Sequence, residues 1–191
     1  IRGERITYDS PNGAGKQGKQ MGGYLVRPAR PSAPRLPAIV VVHENRGLNP
    51  HIADVARRFA REGYFAIAPE LFVRQGDAGS YGEVAKLLAE VISKVPDEQV
   101  MKDLDASVAW ARGQGAGVGA VGVTGFCWGG RITWLYAAHQ PAVKAGVAWY
   151  GRLVGNSTPL NPRHPVDVAG AMQGPVLGLY GAADTGIPLD T

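Results

Sequence analysis

The chain has 191 residues, 45% of them hydrophobic and 19% charged, which suits one globular domain with a full core. Its formal charge of +4 comes from 20 basic and 16 acidic residues, and no basic run is longer than Arg57-Arg58, so no nucleic-acid patch is expected. A single cysteine excludes an intrachain disulfide framework and a Cys-rich metal site, and no apolar run is long enough to span a bilayer.

The segments RITYDS (5–10) and GGYLVRP (22–28) alternate apolar and polar residues, with PNGAGKQGKQ between them as a turn or loop, so the pair is expected to form a hairpin. PARPSAPRLP (28–37) is rich in proline and reads as an extended linker. AIVVV (38–42) is a short continuous apolar run, as in a strand buried on both faces. After the loop HENRGLN (43–49), Asn49 is a candidate N-cap with Pro50 at the first helical position. Ile52, Val55, Ala56, Phe59 and Ala60 share one helical face, and Gly63 ends the helix.

YFAIAPEL (64–71) reads as another buried strand, followed by a Gly- and Asp-containing loop at 72–80. A helix is expected over 81–95, with Val84, Leu87, Leu88, Val91 and Ile92 inward, until Pro96 breaks it. A second helix follows over 97–112, with Val100, Leu104, Val108 and Ala111 inward, and GQGAGVG (113–119) reads as a loop. AVGVTG (120–125) is a strand, RITWLYAAH (131–139) a helix and KAGVAWYG (144–151) a strand. Residues 152–174 form an irregular polar excursion before the last strand, PVLGLYG (175–181). The alternation predicts one α/β domain over 1–191: a mainly parallel sheet with helices on both faces, opened by an antiparallel hairpin. Functional loops of such sheets lie at the carboxyl ends of the strands.

The strand 120–125 runs into Gly125-Phe126-Cys127-Trp128-Gly129-Gly130, a G-x-nucleophile-x-G pattern between a strand and a helix with Cys in the nucleophile position. Such a turn lifts the nucleophile above the sheet on strained backbone, and glycines let strand and helix approach closely. The helix N-terminus would favour a thiolate, and the Trp128 N–H would face a developing oxyanion. The competing reading is a buried thiol in a tight turn. Hydrolases of this type run nucleophile, acid, histidine along the chain, and Asp184 in LYGAADTGIP (179–188) is the candidate acid, against a plain turn-capping aspartate. The four histidines, His43, His51, His139 and His164, all precede Asp184. His51 reads as solvated and His139 as a helix-end residue. His164 would reach the site only if the excursion folded over it, and strand alternation points His43 away from Glu44. This gap, and a chain that stops soon after Asp184, give the expectation that the domain is C-terminally incomplete, with a strand and helix missing.

VVVHENRGLNPHIADVARRFAREGYFAIAPELF (40–72), VTGFCWGGRITWLYAA (123–138) and VLGLYGAADTGIP (176–188) together resemble the dienelactone hydrolase (carboxymethylenebutenolidase) family, of the α/β-hydrolase superfamily. The resemblance implies cleavage of a small ester or lactone through a cysteine acyl-enzyme, without cofactor or metal. It carries over Cys127 as nucleophile, Asp184 as triad acid, and Glu44 as the carboxylate that holds the resting thiol and takes its proton. The backbone N–H groups of Asn45 and Trp128 carry over as the oxyanion hole. The alternative is a binding protein of this fold, or an inactive fragment, without turnover. Glu44 read alone is equally a solvated loop residue or a partner of Arg46. Arg74 and Arg152 lie in loops that could face the mouth of the site; Trp128, Trp149 and Tyr150 could line it and are as readily core, with core preferred for Trp149. A small-molecule substrate is the expected partner, with neither nucleic acid nor membrane. Oligomeric state is open, as is the compartment, cytoplasmic or exported with a signal removed.

Overall fold

Alternation in the first two apolar segments closes the expected hairpin: β1 (Arg2–Asp9) runs antiparallel to β2 (Gln20–Arg27), with Tyr8 opposite Met21. The computed structural model describes residues 1–10, 20–188 and 190–191, so the predicted connecting turn falls outside the described residues except for its end. The remaining strands are β3 (Leu36–Val42), β4 (Phe65–Pro69), β5 (Ala116–Phe126), β6 (Val143–Trp149) and β7 (Val176–Leu179). They form one seven-stranded sheet in the order β1-β2-β4-β3-β5-β6-β7. The hairpin joins through an antiparallel β2–β4 pair, and every later pair is parallel.

Helix α1 (Pro50–Arg61) starts where its cap dictates: the Asn49 side chain accepts the Ile52 N–H at 3.1 Å, and Pro50 opens the first turn. Its buried Ile52, Ala56 and Ala60 pack with Val26, Val41 and Ala66 on one face of the sheet. Helices α2 (Val84–Glu90), α3 (Asp97–Gly113) and α4 (Trp128–His139), with the short α5 (Pro165–Val168), belong to the opposite side. Leu87, Leu104, Ile132, Tyr136 and Val168 pack there on Val40, Ile67, Val121 and Val123 in the main core. Parallel strands β3 and β5 are buried between these layers, which accounts for their apolar runs.

Several boundaries differ from the sequence expectation. The linker ends sooner, because Leu36 and Pro37 pair with Ala116 and Gly117, and the supposed glycine loop is the start of β5. The register then slips between Pro37 and Ala38, so those glycines mark a bulge within a strand. The helix expected over 81–95 shrinks to α2 and a 3₁₀ turn, Ile92–Lys94. Val84 and Leu88 are 43% and 42% exposed, so the inward stripe lasts about one turn. Trp149 is also not core: it is 37% exposed, and Leu177, on the same sheet face through the Val147–Leu177 and Trp149–Leu179 pairs, is 57% exposed.

Candidate active site

Cys127 lies where β5 turns into α4, with φ 54° and ψ −113°. A non-glycine residue seldom adopts this conformation. The turn is locked from both sides, since the Cys127 N–H donates to the Trp149 carbonyl at 2.9 Å and its own carbonyl accepts from Arg131 N–H at 3.2 Å. The flanking glycines are steric requirements: a Cβ on Gly125 would lie 2.2 Å from the Gly129 carbonyl oxygen, and one on Gly129 would lie 2.4 Å from that of His43. Because the Cys127 carbonyl already accepts the Arg131 N–H, α4 begins at Trp128 rather than at the predicted residue 131.

Burial pushes the Cys127 thiol above its ordinary range. A hydrogen bond from the Trp128 N–H opposes this, the charge of Glu44 adds to it, and Arg152 and Asp184 act weakly in opposite directions. Burial and the Glu44 charge thus work against the thiolate that the sequence led one to expect at this helix terminus.

Glu44 stands at the end of β3, fixed by two donors. Its Oε2 accepts the Arg46 backbone N–H at 2.7 Å, and its Oε1 accepts the Asn49 side-chain amide at 2.5 Å. The Arg46 guanidinium turns away to the Tyr81 carbonyl at 2.7 Å, so Glu44 is not its ion-pair partner. Asn49 thus caps α1 with its oxygen and holds Glu44 with its nitrogen, a second task the sequence did not disclose. Asn45 opens the tight turn closed by the Gly47 N–H to Glu44 carbonyl bond. Asp184 is exposed beyond β7, its Oδ1 accepting the Gly186 and Ile187 N–H groups at 2.8 and 3.3 Å. It therefore caps its own turn while its charge reaches the thiol.

Each histidine is placed elsewhere. His43 is fully buried, donating from Nδ1 to the Glu44 carbonyl at 2.8 Å and accepting the Leu71 N–H on Nε2 at 3.0 Å. Those two bonds fix its tautomer, although Nε2 also lies 3.4 Å from Glu70 Oε1. His51 is exposed on α1 with its ring 5.9 Å from that of Phe126, and His139 pairs with Asp105 at 2.8 Å. The excursion does fold over α4, but His164 faces Arg131, whose Nε lies 3.4 Å from its Nδ1, and donates to the Asn156 carbonyl at 3.1 Å. Arg131 itself is held by both carboxylate oxygens of Asp97 at 2.7 Å.

Of the two arginines expected at the mouth, Arg74 is buried and paired with Asp103, so it cannot serve there. Arg152 is exposed, and its charge acts on the thiol. Trp128 stacks on His43 with centroids 5.6 Å apart and meets Phe72 edge-on at 4.7 Å, which seats the elbow on the core. Tyr150 is the other described non-glycine residue with positive φ, at 40°. The sequence placed it between pocket and core, and only its position between a strand end and a glycine hinted at more. No group of three or more His, Cys, Asp or Glu residues able to hold a metal ion occurs among the described residues. Among the same residues, no helix is long and apolar enough to cross a membrane.

A mainly parallel sheet with helices on both faces and a left-handed cysteine elbow between a central strand and its helix defines an α/β-hydrolase fold. The chain belongs to the dienelactone hydrolase family, whose sequence profile matches residues 21–191. A Methylorubrum extorquens protein bearing the name carboxymethylenebutenolidase is 63% identical over 156 residues, covering 81% of this chain and 54% of its own length. One of that name from Salmonella typhimurium is 51% identical over 175 residues, covering 92% of this chain and 64% of its own. The chain thus spans little more than half to just under two thirds of these relatives. A crystal structure titled as a dienelactone hydrolase from Klebsiella pneumoniae shares 50% identity at a TM-score of 0.89, over 98% of this chain and 77% of that one.

Proposed function

We propose that the chain carries the nucleophile of a hydrolase that opens small esters or lactones through a cysteine acyl-enzyme. The observation that supports this most is Cys127 itself: a strained, positive-φ cysteine at the start of α4, with the Trp128 N–H directed at its sulfur. In this reading substrate binding frees Glu44 to take the thiol proton. Sulfur attacks the carbonyl carbon, and the oxyanion is held by the Asn45 and Trp128 N–H groups. The intermediate collapses by breaking the C–O bond, and the departing oxygen takes up the proton from Glu44. Water then cleaves the thioester, releasing the acid and restoring the thiol. Asp184 serves as the triad acid, a role that needs a histidine none of the four in this chain supplies from its observed position.

That none of the four histidines stands in the triad position supports a second reading, in which this stretch binds the ligand without turning it over. The two separate in one experiment. Incubated with p-nitrophenyl acetate, the protein should release nitrophenolate and gain one acetyl group on Cys127, seen by mass spectrometry, and Cys127→Ala should do neither. Equal release by wild type and Cys127→Ala would rule out the cysteine mechanism. Ligand binding without an adduct would establish the second reading.

A further inference from the structure

Cys127 and Tyr150, the described non-glycine residues with positive φ, are neighbours in space. Phe126 of β5 pairs with Trp149 of β6, and each strained residue is the next one along its strand. The strain at Tyr150 is enforced by several contacts. Its N–H donates to the Leu179 carbonyl at 2.8 Å, and the Gly151 carbonyl accepts the Tyr180 hydroxyl at 2.8 Å. Trp134 holds that hydroxyl in turn at 3.1 Å, and Gly151 is pressed so closely on α4 that a Cβ there would lie 2.2 Å from the Gly130 carbonyl carbon. Backbone strain persists where surrounding contacts overdetermine it, and it concentrates at functional sites.

The result is a tyrosine 40% exposed, its ring centroid 6.4 Å from that of Phe126. Burial holds its phenol above the ordinary range, and negative charge on Cys127, once ionised, and on Glu44 adds to this, so the phenol keeps its proton beside them. The strand order β3-β5-β6 sets Glu44 and Asn45 on one side of Cys127 and Tyr150 on the other. With a carbonyl oxygen held by the Asn45 and Trp128 N–H groups, as in the acyl-enzyme reading, Tyr150 borders the scissile ester from the side of Cys127 away from Asn45.

We propose that Tyr150 is a substrate-contact residue whose O–H donates a hydrogen bond to the single-bonded oxygen of the scissile ester. The phenol keeps its proton; its dipole stabilises charge gathering on that oxygen as the C–O bond lengthens. This role rests on the acyl-enzyme reading of Cys127. It makes the site tolerant of alkyl esters and lactones, whose departing oxygens are strongly basic and need such stabilisation, beyond the activated aryl esters that react without it.

The test is single-turnover acylation of wild type and Tyr150→Phe with ethyl and p-nitrophenyl esters of one acid, followed by mass spectrometry. Tyr150→Phe should lose about tenfold to a hundredfold with the ethyl ester and less than about threefold with the nitrophenyl ester. Its thermal midpoint and the rate of Cys127 alkylation by iodoacetamide should stay at wild-type values, since neither involves a departing oxygen. Equal effects on the two esters, or none, would overturn the Tyr150 role and leave the cysteine mechanism standing. Wild type that forms no adduct with either ester would overturn both.

Discussion

Cys127 and Glu44 stand in a relation that the chemistry can read out directly. Glu44 is pinned by the Arg46 N–H and by Asn49, and its negative charge is among the forces that keep the thiol protonated. Removing that charge while keeping the shape should bring the Cys127 titration down. Glu44→Gln should therefore be alkylated by iodoacetamide faster than wild type near neutral pH, where the thiolate is the reactive form. Ester acylation should move the other way, falling at least about tenfold, because the proton acceptor is gone. Wild-type alkylation should itself be slower than that of a free thiol at the same pH, since burial holds the thiol high. An unchanged alkylation rate in Glu44→Gln would show that the carboxylate does not face the sulfur.

Between α3 and α4 the contact of interest is a polar one, Asp105 with His139 at 2.8 Å, Gln140 at 2.8 Å and Tyr136 at 3.1 Å. The hydrogen bond to Asp105 raises the His139 pKa, and burial opposes it. For Asp105, burial acts upward, but the bonds from His139 and Gln140 outweigh it and the carboxyl is lowered. A raised histidine stabilises the fold fully below about pH 6.5, its unfolded value, and loses that contribution as pH rises through the folded value. A lowered aspartate stabilises above about pH 3.9 and loses its contribution as pH falls. The pair therefore contributes most between those limits. Urea midpoints of wild type and His139→Gln should differ most near pH 5.5 and converge by pH 8.5; a constant gap would mean the ion pair contributes nothing. This contact was not legible in sequence, because Asp105 and His139 are 34 positions apart and each looks like an ordinary helix-surface residue. Elements with strong local signals were legible: Asn49-Pro50 set the start of α1, and the strand-to-helix elbow was plain in its glycines. Where glycine served a strand bulge, as at 117, or where an apolar stripe lost its cover, as at Val84 and Leu88, local pattern misled because a partner element decided the outcome.

At the scale of the whole molecule, one buried polar knot ties the N-terminal hairpin to the rest. The Arg74 guanidinium grips both oxygens of Asp103, and the Ser10 hydroxyl reaches the same carboxylate; both ion-pair side chains are almost fully buried. Beside it the Tyr8 hydroxyl and Ser107 Oγ lie 2.6 Å apart, and Ser107 donates to the Asp103 carbonyl at 2.7 Å. Residues from β1, the segment after β4 and α3 thus meet at one point on the side of the sheet that holds the main core. Arg74, a loop residue that on sequence alone could have faced the mouth of the site, is instead paired with Asp103 inside the fold. A buried pair of this kind contributes little net stability compared with well-packed apolar side chains, but it is costly to break. Asp103→Asn, which leaves the buried cation without its counter-charge, should lower unfolding free energy by about 3–5 kcal/mol. Replacing both partners, Arg74→Met with Asp103→Leu, should recover most of that loss. Urea unfolding of the three proteins decides it, and hydrogen exchange should show the added loss of protection in Asp103→Asn concentrated on β1 and β2. A loss below about 1 kcal/mol in Asp103→Asn would mean that water reaches Arg74 and the knot is not sealed.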